Sequence, residues 1–186
     1  MKINIPNSSS EILLKDYVKY KAFINSNKEI TDKQANRKAV EIFCGLTHKE
    51  VGQIPHKDYQ DIVNLLVFAL SDEPKELIRT YKGLGFIPNL DDISAAEYAD
   101  IDDLWDEDET NIVEVMNVLY RPIKRKILDE YEIEDYTDKI HDDIYNLPLS
   151  VVKSSLGFFL TLRESLLDIT LRYSQQATQA TQPTSN

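Results

Sequence analysis

The chain has 186 residues, and its 32 Asp and Glu against 21 Lys and Arg give a formal net charge of −11 at pH 7. This excess of carboxylates opposes sequence-independent binding to a phosphate backbone, so we expect no nucleic acid among the partners. The chain has a single cysteine, no secretory pattern at its start, and no apolar run near the roughly 20 residues of a membrane span, which predicts a soluble intracellular protein that binds no membrane.

The first seventy residues are predicted to be helical after a short β-like start at Lys2–Ile5. The polar run from Asn7 to Ser10 offers several N-cap candidates for a first helix. Its apolar face has helical spacing and consists of Leu13, Leu14, Tyr17, Val18, Tyr20 and Ile24.

Two capping boxes predict the helices that follow, because in each box the two side chains can satisfy each other's free backbone N–H groups. The boxes pair Thr31 with Gln34 and Thr47 with Glu50. The first of these helices should end at Gly45, Pro55 should break the second, and a further helix should cover Asp58 to Leu70. The side chains predicted to point inward are Ala35, Ala39, Val40, Phe43, Ile62, Leu65, Leu66 and Ala69.

A β-hairpin is predicted near residues 76–90, where β-branched and aromatic residues flank the turn glycines Gly83 and Gly85. A third capping box, Ser94 with Glu97, precedes a strongly acidic stretch. Residues 110–120 are predicted to form a helix with Val113, Met116, Leu119 and Tyr120 on one side. Arg121-Pro122 should terminate that helix, and residues 123–136 should be irregular or weakly extended.

A long helix is predicted after Pro148, from Leu149 to Tyr173, with a length of roughly 37 Å. The last residues, 174–186, repeat Gln-Ala-Thr and contain no large apolar residue, which indicates a disordered tail. The predicted fold class is therefore mainly α with minor β. A single helical domain over residues 1–173 would contain the hairpin and the long C-terminal helix, and the polar tail would follow it.

The segment from Asp91 to Glu109 carries ten carboxylates and neither a basic residue nor a histidine. Apolar residues embedded in it, Tyr98 and Trp105 among them, could be core residues or anchors that become buried when a partner docks. We predict a docking patch for a basic partner. Its proposed binding residues are Tyr98, Asp100, Asp102, Asp103, Trp105 and Asp106.

Metal binding is a weaker interpretation of the same carboxylates. A calcium-binding EF-hand loop requires a glycine at its sharp turn and ligands at fixed alternate positions, and the aspartates between Asp100 and Asp108 lack both. We therefore predict no metal and no cofactor.

Catalytic chemistry has little support in the sequence. Cys44 precedes Gly45 at a predicted helix C-terminus, where the helix dipole raises the pKa of a thiol, so an inert cysteine is expected. The histidines, His48, His56 and His141, are far apart and belong to no catalytic motif, so we expect them at the surface. The sequence therefore predicts a protein that is not an enzyme.

The basic residues of the chain cluster once, and a run of carboxylates follows them directly. The cluster consists of Arg121, Lys124, Arg125 and Lys126, and the carboxylates are Asp129, Glu130, Glu132, Glu134 and Asp135. We expect the cluster to pair with acidic segments of this chain or of a neighbouring one rather than with nucleic acid.

Several strings resemble small uncharacterised proteins encoded among the structural genes of tailed bacteriophages. These strings are Gly85–Ser94, Glu97-Tyr98, Val118–Ile123 and Leu147-Pro148-Leu149 ahead of a Phe-Phe helix. The resemblance covers roughly residues 10–173 and involves packing and turn signals only, so it assigns no catalytic residue. It implies a virion component or a tail-assembly chaperone.

Two functional hypotheses are the strongest, and a third, a carboxylate-metal hydrolase, is the least favoured. The first is a non-enzymatic phage assembly or virion structural protein, located in the host cytoplasm during assembly or in the virion. Its partners would be other phage structural proteins or further copies of itself. The alternative is an acidic regulatory module that binds and inhibits a basic host protein.

Overall fold

The computed structural model describes residues 2–27, 29–74, 76–88, 93–104, 110–128 and 130–160, without the side chains of residues 95, 98 and 102. The fold is mainly α with a small antiparallel sheet, which confirms the predicted class. Within the described ranges the α-helices are α1 (Leu14–Ser26), α2 (Asp32–Phe43), α3 (His48–Val51), α4 (His56–Ser71), α5 (Ala95–Leu104), α6 (Ile112–Leu119) and α7 (residues 149–160). The strands are β1 (Thr80–Tyr81), β2 (Leu84–Phe86), β3 (Tyr120–Ile127) and β4 (Glu130–Ile133).

Both capping boxes of the N-terminal half form as predicted. The Thr31 and Thr47 side chains accept bonds from the backbone N–H groups of Gln34 and Glu50, whose side chains bond back to the capping residues. Gly45, just beyond α2, adopts the left-handed conformation that commonly ends a helix. These local signals therefore set the ends of α2 and α3.

The beginning of the chain differs from the prediction. Residues 2–7 form no strand; Ile3 and Ile5 instead pack against the core between α2, α3 and α4. The leading serines do not cap α1, whose N-cap is Leu13. Ser9 is fully buried and donates its hydroxyl to the Asp72 carboxylate at 2.8 Å, which ties the N-terminus to the end of α4.

The inward face of α4 also needs one correction, because Leu65 is exposed. The residues of α4 that enter the core are Ile62, Val63, Leu66 and Ala69. Every residue from 65 to 70 of this helix is apolar, so its composition defines no unique buried stripe.

The larger correction concerns Tyr120, Arg121 and Pro122, which belong to a strand. Residues 120–127 and 130–133 form two strands of a four-stranded sheet with the order β1-β2-β3-β4, so both strands contain residues for which the extended alternative was predicted. Tyr120, predicted as the last residue of a helix, begins β3 directly after α6. Its side chain is fully buried and its hydroxyl donates to the Ile78 carbonyl oxygen at 2.6 Å. Arg121 and Pro122 therefore lie inside a strand. Pro122 is tolerated there because its carbonyl oxygen accepts from the Glu134 N–H and it has no N–H to donate.

The first hairpin of this sheet lies inside the predicted range. Its turn residues, Lys82 and Gly83, both have positive φ, as a two-residue turn between twisted strands requires. Gly85, predicted as a turn residue, lies in β2 opposite Thr80 and Arg121.

Helix α7 begins at Leu149 as predicted, and the predicted continuation to Tyr173 and the polar tail lie outside the described residues. Two backbone hydrogen bonds attach the start of α7 to the N-terminal segment. Leu149 donates its N–H to the Ile12 carbonyl at 2.7 Å, and Leu14 donates its N–H to the Leu147 carbonyl at 2.8 Å. The Lys153 ammonium donates to the carbonyl oxygens of Leu70 and Asp72, at the C-terminal end of α4. Such a cation satisfies carbonyls that have no partner within the helix.

Candidate functional site: an acidic cleft on helix α5

Only part of the predicted docking patch lies in the described residues. Asp100 is half-buried and Asp103 is exposed on α5. Tyr98 and Asp102 belong to the same helix, but their side chains are outside the described part, as are Trp105 and Asp106 altogether.

Helix α5 is fixed at its N-terminus by the predicted capping box. The Ser94 N–H donates to the Glu97 carboxylate at 2.8 Å, and the Glu97 N–H donates to the Ser94 hydroxyl at 3.1 Å. The side chain of Asn111 donates to the Leu104 carbonyl at 3.2 Å, at the other end of the helix. Both ends of α5 are thus held by side-chain hydrogen bonds.

A buried ion pair then attaches α5 to the sheet. Arg121 Nη1 lies 2.9 Å from Glu97 Oε1, and the two side chains are only 12% and 10% exposed. Burial on its own would raise the pKa of Glu97, but the hydrogen bonds from Ser94 and the charge of Arg121 outweigh it and lower the pKa. This pair confirms, for Arg121, that the basic cluster pairs with the acidic segment of the same chain. Lys124 makes a looser, exposed pair with Asp135 at 3.5 Å.

Helix α5 also lines a cleft of about 310 Å³, which we call the acidic cleft. Helix α5, helix α6 and the loop 136–140 form its walls. Its lining residues are Asp100, Asp103, Leu104, Glu114, Asn117, Tyr136, Asp138 and Ile140. Four of the eight are carboxylates, none is basic, and three provide an apolar or aromatic surface.

The four lining carboxylates favour a negative potential inside the cleft, and Tyr136 lies among them. Burial is the main cause that raises the pKa of the Tyr136 hydroxyl, and its hydrogen bond to Asp100 raises the pKa further. The charges of Asp100, Asp138 and Glu97 act in the same direction. A phenol loses its proton less readily near negative charge, and a cation is attracted to the same place.

Asn117 holds the loop wall of the cleft against α6. Its side-chain amide donates to the carbonyl oxygens of Thr137 at 3.1 Å and Lys139 at 3.5 Å, and its side-chain oxygen accepts from the His141 N–H at 3.1 Å. One buried side chain therefore fixes three points of a loop that lacks regular secondary structure.

We expect Asn117→Ala to loosen this loop, because it leaves the His141 N–H and two carbonyls without a protein partner. The free energy of unfolding should fall by about 1–3 kcal/mol, measured by urea denaturation. Amide hydrogen exchange at His141 should accelerate at the same time. As a control, Asn146→Ala removes only an exposed bond from Lys15 and should change neither quantity appreciably. Unchanged exchange at His141 would contradict the role given to Asn117.

The other candidate residues lie apart from the cleft. Cys44 is half-buried at the end of α2, and burial raises the pKa of its thiol to about 11, so the thiolate nucleophile is rare at neutral pH. The histidines are exposed as predicted; His48 lies 2.7 Å from the Glu41 carboxylate and His141 lies 3.6 Å from that of Asp143.

The described residues contain no group of three or more His, Cys, Asp or Glu side chains arranged to hold a metal ion. None of their helices combines the length and the apolar character needed to cross a membrane.

The sequence could indicate α5 but not the complete cleft. Asp100 and Asp103 stand out within the acidic run, whereas Glu114, Asn117 and Asp138 carry no signal of their own in the sequence. The long-range packing of the loop on α6 brings them together.

No family model, no curated protein sequence and no solved structure matches the chain.

Proposed function

We propose that this chain is a non-enzymatic bacteriophage assembly or virion structural protein, which acts by binding other protein subunits. The observation that carries the proposal is the acidic cleft, whose described lining combines four carboxylates with three apolar or aromatic side chains and includes no basic residue. The phage context rests on the sequence resemblance. The non-enzymatic character rests on the lack of a catalytic motif in the sequence.

The chemistry of the cleft suits a lysine or arginine side chain from a partner. Leu104, Tyr136 and Ile140 can cover the methylene stem, and the carboxylates of Asp100 and Asp103 can accept hydrogen bonds from the cationic head. A volume of about 310 Å³ is at the small end of ligand sites, which suits a side chain better than a large cofactor.

The cleft is also held in shape before any partner arrives. The capping box and the Arg121–Glu97 pair fix α5, and Asn117 fixes the opposite wall. A preorganised site loses less conformational entropy on binding, so even a short basic segment can gain affinity for it.

The charge of the cleft is open to a direct test. We expect the double variant Asp100→Asn, Asp103→Asn to weaken partner binding about threefold to thirtyfold, as the loss of two exposed charge pairs would. The salt dependence of binding should fall as well. The measurement is affinity capture from a lysate of infected host cells, followed by titration of the captured subunit at several salt concentrations.

Its matched control is Asp58→Asn, Asp61→Asn, which removes the same charge from exposed positions on α4. That variant should bind like the wild type if the cleft is the docking site. Equal weakening by both pairs would indicate a general charge effect and would contradict the assignment of the cleft.

The alternative is an acidic regulatory module that inhibits a basic host protein, and the same carboxylates favour it. Mass spectrometry of purified virions separates a virion subunit from such a module. Presence at a fixed stoichiometry supports the structural role, whereas presence only in early lysates supports the regulatory one. Presence only in assembly intermediates identifies an assembly chaperone.

A further inference from the structure

We draw no further inference here: the strongest candidate, the apolar groove between α1, the end of α4 and α7, adjoins residues outside the described part, and nothing in the described structure shows what covers it.

Discussion

Replacement of Gly85 by alanine should lower the free energy of unfolding by about 2–3 kcal/mol. A Cβ atom at this position would lie 2.5 Å and 2.8 Å from two ring carbons of Tyr131 and 3.0 Å from a side-chain carbon of Ile123. The ring cannot move away cheaply, because its hydroxyl is bonded to the Phe86 carbonyl at the other end. Urea denaturation measures the loss.

Gly157→Ala is the matched control, since an added Cβ there meets no atom of another described element within 4 Å and the residue lies inside α7. That substitution should raise the free energy of unfolding by roughly 0.5–1 kcal/mol, the helix propensity difference. A further variant, Gly85→Ala with Tyr131→Leu, should lose less than the sum of its single changes, because the ring that clashes is gone. A Gly85→Ala protein as stable as the wild type would show that Tyr131 does not pack here as described.

The starts of α2, α3 and α5 were the most predictable part of this fold, because capping is a local property. The pairs Thr31–Gln34, Thr47–Glu50 and Ser94–Glu97 need only a spacing of three residues, and all three form their hydrogen bonds. The Lys82-Gly83 turn is local in the same sense. Patterns of this kind are visible in any single sequence.

The start of strand β3 at Tyr120 and the pairing of this strand could not be predicted, for the opposite reason. Its sequence alternates poorly, contains Pro122 and a basic run, and continues the apolar stripe of α6 through Tyr120 without a linker. What makes it a strand is its pairing with β2 and β4, which contain the residues that satisfy its backbone. Long-range pairing overrides weak local preference here.

The acidic cleft was also predictable only in its local part. The acidic run predicted that α5 would carry an electronegative surface, yet the cavity depends on Tyr136 and Ile140, which lie more than thirty residues away in the chain. Arg121 was predicted to pair with acidic residues, but nothing local indicated that Glu97 would serve both as its partner and as a capping residue.

Because Glu97 is both a capping residue and the partner of Arg121, its substitution should also have a large effect on stability. Glu97→Gln should lower the free energy of unfolding at pH 7 by about 3 kcal/mol, the low end for breaking a buried ion pair. Glutamine can still accept from the Ser94 N–H, so the capping bond survives and the loss reports mainly on the charge. Arg121 would then be left as a buried cation whose Nε has no hydrogen-bond partner among the described residues.

The pH dependence of that loss identifies its cause. The pKa of Glu97 is lowered from its ordinary value of 4.5, so its charge stabilises the folded state fully above that value. This stabilisation disappears as the pH falls through the lower, folded-state pKa, where the wild type also becomes neutral. The difference between the wild type and Glu97→Gln should therefore be greatest near neutral pH and should shrink in acid. A difference that stays constant with pH would assign the loss to packing instead of charge.

Two further variants test whether the loss of stability depends on the burial of the ion pair. Glu97→Gln combined with Arg121→Met should recover much of the lost stability, because it removes the buried cation that Glu97→Gln leaves unpaired, while the neutral glutamine keeps its capping bond. Asp135→Asn breaks the exposed pair with Lys124 and should leave the unfolding midpoint almost unchanged, since solvent screens that interaction. If the double variant were less stable than Glu97→Gln alone, Arg121 would be stabilising the sheet through its own contacts, and α5 would depend on Arg121 for packing as well as for charge.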